Sequence, residues 1–169
     1  ICVTGAGAKK EFSAIVTDTI PNLNMLEAGT QVFLMKNNDN INLLNEENVF
    51  SVNETFSKRM NLSQEDVFYY VYGILHSPEY KEKYSNDLKK ALPRIPIVKE
   101  KYKFVNLGKQ LIDLHLNYEN VEPYSDVDIE FRSTTPSYKV KKMRFPKRDE
   151  KQTIIFNEDI TFLRKLMNM

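Results

Sequence analysis

Two glycines and two lysines stand close together at the start of the chain, in the stretch ICVTGAGAKK (residues 1–10). A phosphate-binding P-loop requires four residues between its first glycine and a Gly-Lys-Ser/Thr triplet, and this stretch has no Gly-Lys pair. A dinucleotide-binding turn requires a third glycine where Lys10 stands and a helix after it. The following stretch, FSAIVTDTI (12–20), instead has the composition of a strand. The pattern therefore predicts a hairpin with a positive-φ glycine turn and no bound nucleotide.

Two further groups of residues are candidates for catalysis or metal binding. His76 and His115 are the only histidines of the chain, and neither has partners at a spacing that suits a metal ion or a general base. We interpret them as capping and packing residues. The stretch DIEFR (128–132) only partly matches a nuclease carboxylate motif, because Arg132 stands in place of a lysine, and it is interpreted as a solvent-exposed strand face. The sequence predicts no catalytic site and no metal site.

The strongest functional signal is the basic stretch YKVKKMRFPKR (138–148). The whole chain has a net charge of only +1, yet residues 111–135 carry −5 and residues 136–169 carry +5. In a strand these cations would lie on both faces, so they cannot all be buried. Two interpretations remain open: contact with nucleic-acid phosphates, or a charged edge strand that prevents aggregation.

Composition sets the outer limits. A chain of 169 residues with 41% hydrophobic residues is long enough for one core, and one domain is expected. The single cysteine, Cys2, excludes an internal disulfide and favours a reducing, cytosolic location. No apolar run approaches the ~20 residues of a membrane span. The absence of a starting methionine predicts that the chain is a fragment of a longer protein.

The sequence divides into four regions, which together predict the α+β class. β-rich segments lie at both ends of the chain, and about three helices lie between them. The regions are β-rich 1–36, a loop over 37–61, helical 62–118 and β-rich 127–163, the last with predicted strands DIEF, YKVKKMRF and TIIFNEDITF. Ser63 with Asp66, and Ser77 followed by Pro78, predict two helix starts. The second of these helices is expected to continue to Leu92.

Two helical faces are predicted to pack in the core. In the aromatic stretch FYYVYG (68–73), we favour packing over base stacking, with Tyr69 expected to be exposed. The side chains expected on that buried face are Phe68, Val71, Tyr72 and Leu75. A third helix is predicted from Phe104 to Asn117, and its apolar face comprises Leu107, Leu111, Leu114 and His115.

Five blocks of the sequence, in order along the chain, carry a family resemblance. They are FSAIVTDTIPNLNMLEAGTQVFLM (12–35), EDVFYYVYGILHSPEYKEKYSNDLKKALPRIP (65–96), LGKQLIDLHLNYENVEPY (107–124), YKVKKMRF (138–145) and TIIFNEDIT (153–161). Together they resemble the C-terminal target-recognition domain of type ISP restriction-modification enzymes. In that family one polypeptide joins a nuclease, a helicase-like ATPase motor, an adenine methyltransferase and a DNA-specificity domain.

The resemblance implies that residues 1–169 form a single non-catalytic DNA-specificity domain of a larger bacterial, cytoplasmic enzyme. Its implied partners are double-stranded DNA and the other domains of the parent enzyme, without a membrane and without a cofactor in this part of the chain. The alternative is a protein-interaction domain whose helices dock onto another domain of that enzyme.

Eleven side chains are expected at the DNA, some on phosphates and some on base edges. The phosphate contacts are expected from Lys9, Lys10, Lys139, Lys141, Lys142, Arg144, Lys147 and Arg148. Base edges in the major groove are expected to be read by Asn37, Asn38, Asn40 and Arg144.

Overall fold

The computed structural model describes residues 1–9, 11–37, 49–122, 125–140 and 142–164. The chain forms two compact units, Ile1–Val121 and Glu122–Met169. The strands of the first unit are β1 (Cys2–Val3), β2 (Ala14–Ile15), β3 (Gln31–Val32), β4 (Lys36–Asn37) and β5 (Val49–Phe50). Its helices are α1 (Glu54–Met60), α2 (Gln64–His76), α3 (Pro78–Lys83), α4 (Ser85–Leu88) and α5 (Lys101–Leu116), followed by a 3₁₀ turn (Tyr118–Asn120). The second unit holds β6 (Val127–Phe131), β7 (Thr153–Ile155) and β8 (Ile160–Arg164). The predicted α+β class is confirmed.

The glycine-rich opening forms the predicted hairpin. β1 pairs antiparallel with β2 on one side and with β3 on the other, so that Cys2 lies opposite both Ile15 and Val32. Gly7 has φ +79° in the connecting turn, a conformation that favours glycine. The turn is also bonded to the residue after α4, because the Gly7 amide donates to the Lys89 carbonyl at 2.9 Å. The strands are shorter than the sequence predicted.

The helix starts follow the predicted caps. The Ser63 hydroxyl accepts from the Asp66 amide at 3.0 Å, and Ser77 caps α3 with Pro78 at its first position. The helix predicted to reach Leu92 is interrupted at Tyr84 and ends at Leu88. The predicted loop over 37–61 is also corrected, because its second half contains α1.

The first unit is built on the contact between α2 and α5, where two glycines let the helix backbones touch. A Cβ on Gly108 would lie 1.9 Å from the Tyr69 carbonyl oxygen, and one on Gly73 would lie 2.4 Å from that of Phe104. This contact sets the rotation of α5, which buries Val105, Gly108 and Ile112. The predicted apolar face is therefore only partly correct. Leu107 and Leu114 are 43% and 46% exposed, whereas Leu111 and His115 are half-buried.

The aromatic stretch of α2 packs in the core, as predicted. Phe68, Tyr72 and Leu75 are buried, whereas Val71 is half-buried. Tyr70 is also fully buried. Its hydroxyl donates to the Pro96 carbonyl at 2.5 Å and accepts from the Val98 amide at 3.1 Å. Tyr69 was expected to be exposed; it is half-buried, and its hydroxyl donates to Glu65 at 2.8 Å.

The second unit is a three-stranded antiparallel sheet in the order β6-β8-β7. The predicted strands DIEF and TIIFNEDITF are confirmed as β6 and the β7–β8 hairpin. The predicted strand YKVKKMRF is wrong: it touches β7 through a single bridge between Arg144 and Ile155. As a strand, this segment would carry cations on both faces, so pairing more of it with β7 would bury few apolar side chains. Among the described residues, no helix is both long and apolar enough to cross a lipid bilayer.

Candidate nucleic-acid interface

The basic segment, residues 138–148, is anchored at one end by the turn between β7 and β8. The side-chain nitrogen of Asn157, Nδ2, donates to the backbone carbonyl oxygens of Ser137 at 2.5 Å and Lys139 at 3.3 Å. The side-chain oxygen of Asn157, Oδ1, accepts from the backbone amides of Asp159 at 2.8 Å and Ile160 at 2.9 Å. One side chain thus shapes the turn and ties the beginning of the basic segment to it.

A second anchor lies at Arg144. Its amide donates to the Ile155 carbonyl at 3.1 Å, and its carbonyl accepts from the Ile155 amide at 2.9 Å. The backbone of Arg144 is therefore fixed against the edge of β7, while its side chain is exposed. The backbone bridge therefore fixes the point from which the exposed Arg144 side chain can reach a ligand at the surface.

Two of the predicted DNA contacts share a surface recess with an arginine from another part of the chain. The recess has a volume of about 320 Å³ and is named here the basic recess. It is lined by Arg132, Lys142, Arg144, Ile155, Asn157 and Glu158. Three cations face one carboxylate, so the lining is electropositive, and it offers guanidinium and ammonium donors to an anion.

Arg132 was not predicted as a site residue, because DIEFR was interpreted as a solvent-exposed strand face. The residue follows β6, and its amide donates to the Asp159 carbonyl at 2.8 Å. This bond holds Arg132 at the same turn that anchors the basic segment. The sequence contains one indication that Arg132 could be a site residue, since it is a cation directly after a predicted strand. The order of the strands in the sheet is needed to place it beside Arg144.

The other predicted contacts are not brought together with Arg144 by this recess. Lys139, Lys147 and Arg148 are exposed residues of the second unit that do not line it. Lys9 is exposed in the β1–β2 turn of the first unit. Asn37 lies in β4, and its side chain is outside the description. Four predicted contacts fall outside the described residues, namely Lys10, Asn38, Asn40 and Lys141.

The two histidines lie next to each other in the first unit, around Tyr72. The Tyr72 hydroxyl is hydrogen-bonded to His115 Nδ1 at 2.5 Å and accepts from the Val16 amide at 3.1 Å. The His76 Nδ1 atom is 2.9 Å from the Tyr72 carbonyl oxygen. Burial lowers the pKa of His76 and raises the pKa of Tyr72 to about 12. These contacts join α2, α5 and the strand region, which is a packing role.

The part of the chain that the structure describes contains no cluster suited to a metal ion. No group of three or more His, Cys, Asp or Glu side chains lies close enough together there to hold one. The candidate site is therefore defined by its cations and its anchored backbone.

Solved structures of protein–DNA complexes are similar to this chain. A nuclease-deletion mutant of the Type ISP enzyme LlaGI, in complex with a DNA substrate mimic, is 35% identical with a TM-score of 0.77. The ATP-dependent Type ISP enzyme LlaBIII, bound to DNA, is 37% identical with a TM-score of 0.82. A DrdV–DNA complex is 27% identical with a TM-score of 0.74.

Each of these matches covers 96% of this chain but only a small part of the solved one. The chain spans 14% of the LlaGI chain, 11% of the LlaBIII chain and 17% of the DrdV chain. None of the curated proteins compared with the sequence matches it. The sequence profile of the Type ISP C-terminal specificity domain matches residues 1–164, through both units. The resemblance drawn from the five sequence blocks is confirmed: the chain belongs to the family of Type ISP C-terminal specificity domains.

Proposed function

We propose that this chain is the DNA target-recognition domain of a single-chain restriction-modification enzyme, and that its second unit presents the basic segment to double-stranded DNA. The observation that carries the proposal is the family membership, because the family is described as a specificity domain. The DNA-bound state of the LlaGI and LlaBIII structures supports DNA as the partner.

The proposal treats residues 1–169 as one functional domain, since the family match runs through both compact units. It assigns no catalytic step to this chain. Cleavage, methylation and ATP hydrolysis are assigned to other parts of the parent enzyme, which acts on DNA in the bacterial cytoplasm. The exposed lysines and arginines of the basic segment position the duplex through its phosphates, and other polar side chains read base edges. Lys9, which is exposed in the β1–β2 turn, is proposed as a further phosphate contact, together with Lys10.

A domain exchange tests this function. The chain is grafted in place of the matching part of LlaBIII, and duplexes bound by each enzyme are selected from a randomised library and sequenced. We expect the graft to select a motif different from that of LlaBIII, because the specificity domain carries the base-reading residues. Grafting the LlaBIII domain back is the control and should restore the original motif. Selection of the LlaBIII motif by the graft would refute target recognition by this domain.

A second candidate function is supported by the outer face of α5. Leu107 and Leu114 are exposed there beside a groove of about 970 Å³ between α5 and the α2–α3 junction. Apolar surface of this kind favours a protein contact, and the occupant proposed is another domain of the same polypeptide. Replacing both leucines by serine should then speed proteolytic release of the domain from the parent enzyme. An unchanged rate of release would remove this candidate.

A further inference from the structure

We propose that the basic recess binds one phosphodiester group of the DNA backbone, with Arg132 and Arg144 as its two guanidinium ligands and Lys142 as a third cation. This inference rests on the proposed function and goes beyond it, because it assigns a role to Arg132 and separates the recess from the other cations of the basic segment.

Both arginines are held by the same β-hairpin. Arg132 is bonded through its backbone to Asp159 in the β7–β8 turn, and Arg144 is bonded through its backbone to Ile155 in β7. Because the two attachment points belong to one hairpin, the two guanidinium groups start from backbone positions that are fixed relative to each other. Fixed backbone positions remove the cost of bringing the two residues together, while the exposed side chains still lose rotamer freedom on binding.

The donor chemistry of the recess fits a phosphate. A guanidinium is planar and presents paired N–H donors that match two oxygens of one phosphate, while the Lys142 ammonium adds a compact positive charge. The polar atoms of the Asn157 amide are engaged with backbone groups of residues 137, 139, 159 and 160. The other charged side chains of the lining are three cations and the Glu158 carboxylate, so cationic donors outnumber the one acidic group. A phosphodiester supplies only acceptors, which matches the cations.

Lys151 provides a matched control. It is an exposed lysine of the second unit that lies outside the basic segment and does not line the recess. If only the overall charge of the unit mattered, Lys151 and Lys142 would contribute equally to DNA binding. If a phosphate is held in the recess, the loss of Lys142 or Arg132 weakens DNA binding, and the loss of Lys151 leaves it nearly unchanged.

The test uses the intact parent enzyme and a fluorescent duplex that contains its selected target, with binding measured by anisotropy across a salt series. Arg132→Gln is expected to weaken binding about 10- to 100-fold, by a similar factor on target and non-target duplexes. The slope of log affinity against log salt should fall by about 0.9 for each phosphate that the variant no longer neutralises. Lys142→Gln should act in the same direction, whereas Lys151→Gln should change affinity by less than about 3-fold.

A second measurement identifies the phosphate. Single phosphates of the duplex are replaced, one at a time, by uncharged methylphosphonate. One position should weaken binding by the wild-type enzyme and have little further effect on Arg132→Gln, because the two changes remove the same ion pair. Additive effects at every position would overturn the proposal.

The remaining outcomes separate this inference from the proposed function. If wild-type enzyme discriminates its target but Arg132→Gln behaves like Lys151→Gln, the recess is not a phosphate site, and target recognition stands. A loss confined to one base pair would mean that Arg132 reads a base, which also overturns the phosphate assignment. If the domain exchange leaves the selected motif unchanged, the proposed function fails instead, whatever the variants do.

Discussion

Replacing Asn157 by alanine is expected to release the basic segment from the β7–β8 turn. Four backbone groups are left without this partner, two carbonyls at Ser137 and Lys139 and two amides at Asp159 and Ile160. At about 0.5–1.5 kcal/mol for each hydrogen bond, the sum is about 2–6 kcal/mol. Because the site is only half-buried and water can replace part of the bonding, we expect the lower end of this range, about 2–3 kcal/mol.

Hydrogen exchange measured by mass spectrometry reports this change directly as a local opening. If the closed state of the basic segment is destabilised by about 2–3 kcal/mol, its hydrogen-bonded amides, such as that of Arg144, should exchange about 30- to 150-fold faster. Asn157→Asp separates the two functions of the side chain: it keeps an acceptor for the turn amides and removes the donor to the segment. We expect faster exchange near residues 137–139 in this variant, with the turn still protected. Equal exchange in wild type and Asn157→Ala would refute the anchoring role.

Three further predictions concern the first unit, each checked by urea unfolding. Gly108→Ala should be destabilising by a net ~1–2 kcal/mol. A Cβ there would lie 1.9 Å from the Tyr69 carbonyl oxygen of α2. The helix shift that relieves this backbone clash costs about 2–3 kcal/mol, against ~1 kcal/mol gained in helix propensity. Exposed Asn106→Ala is the control, and equal stability of the two variants would contradict the close approach of the helices. Leu75 is 2% exposed, so Leu75→Ala should lower the free energy of unfolding by about 2–5 kcal/mol. Exposed Lys83→Ala should change it by no more than about 0.5 kcal/mol. Equal urea midpoints of the two variants would argue against the burial of Leu75. Because the pKa of His76 is lowered in the folded state, the unfolded chain binds the proton more readily, and the free energy of unfolding should fall as pH drops below 6.5. His76→Gln should make this fall less steep. An unchanged pH profile in that variant would count against burial of His76 as the cause.

Local signals in the sequence predicted the elements whose ends are decided by neighbouring residues. The hydroxyl caps at Ser63 and Ser77 gave the starts of α2 and α3, because a cap bonds to an amide three residues away. The positive φ of Gly7 followed from the glycine-rich turn in the same way. The order of the five family blocks then indicated the domain family.

The orientation of α5 and the path of the basic segment depend on long-range contacts that periodicity does not contain. α5 has apolar residues on two sides, and the close contact of Gly73 with the Gly108 region selects the side with Val105. The basic segment alternates cations on both faces, so its pattern could not exclude a strand. Its actual path is set by contacts with residues further along the chain, since Asn157 bonds to Lys139, 18 positions earlier, and Ile155 bonds to Arg144.

The recess could not be assembled from the sequence for the same reason. Arg132 and Arg144 are twelve positions apart, and each is fixed by a backbone bond to the β7–β8 hairpin. Only the strand order β6-β8-β7 brings the end of β6 and the edge of β7 to one hairpin. A cation after a strand is common, so its type alone does not single it out.

The way in which the basic segment is attached bears on how such a domain can acquire a new target. Val140, Lys142 and Met143 lie outside any strand and are exposed, between the Asn157 anchor and the Arg144 bridge. Substitutions there can change the surface offered to a ligand while strand register and core packing stay as they are. A domain built in this way can diverge in what it recognises faster than in how it folds.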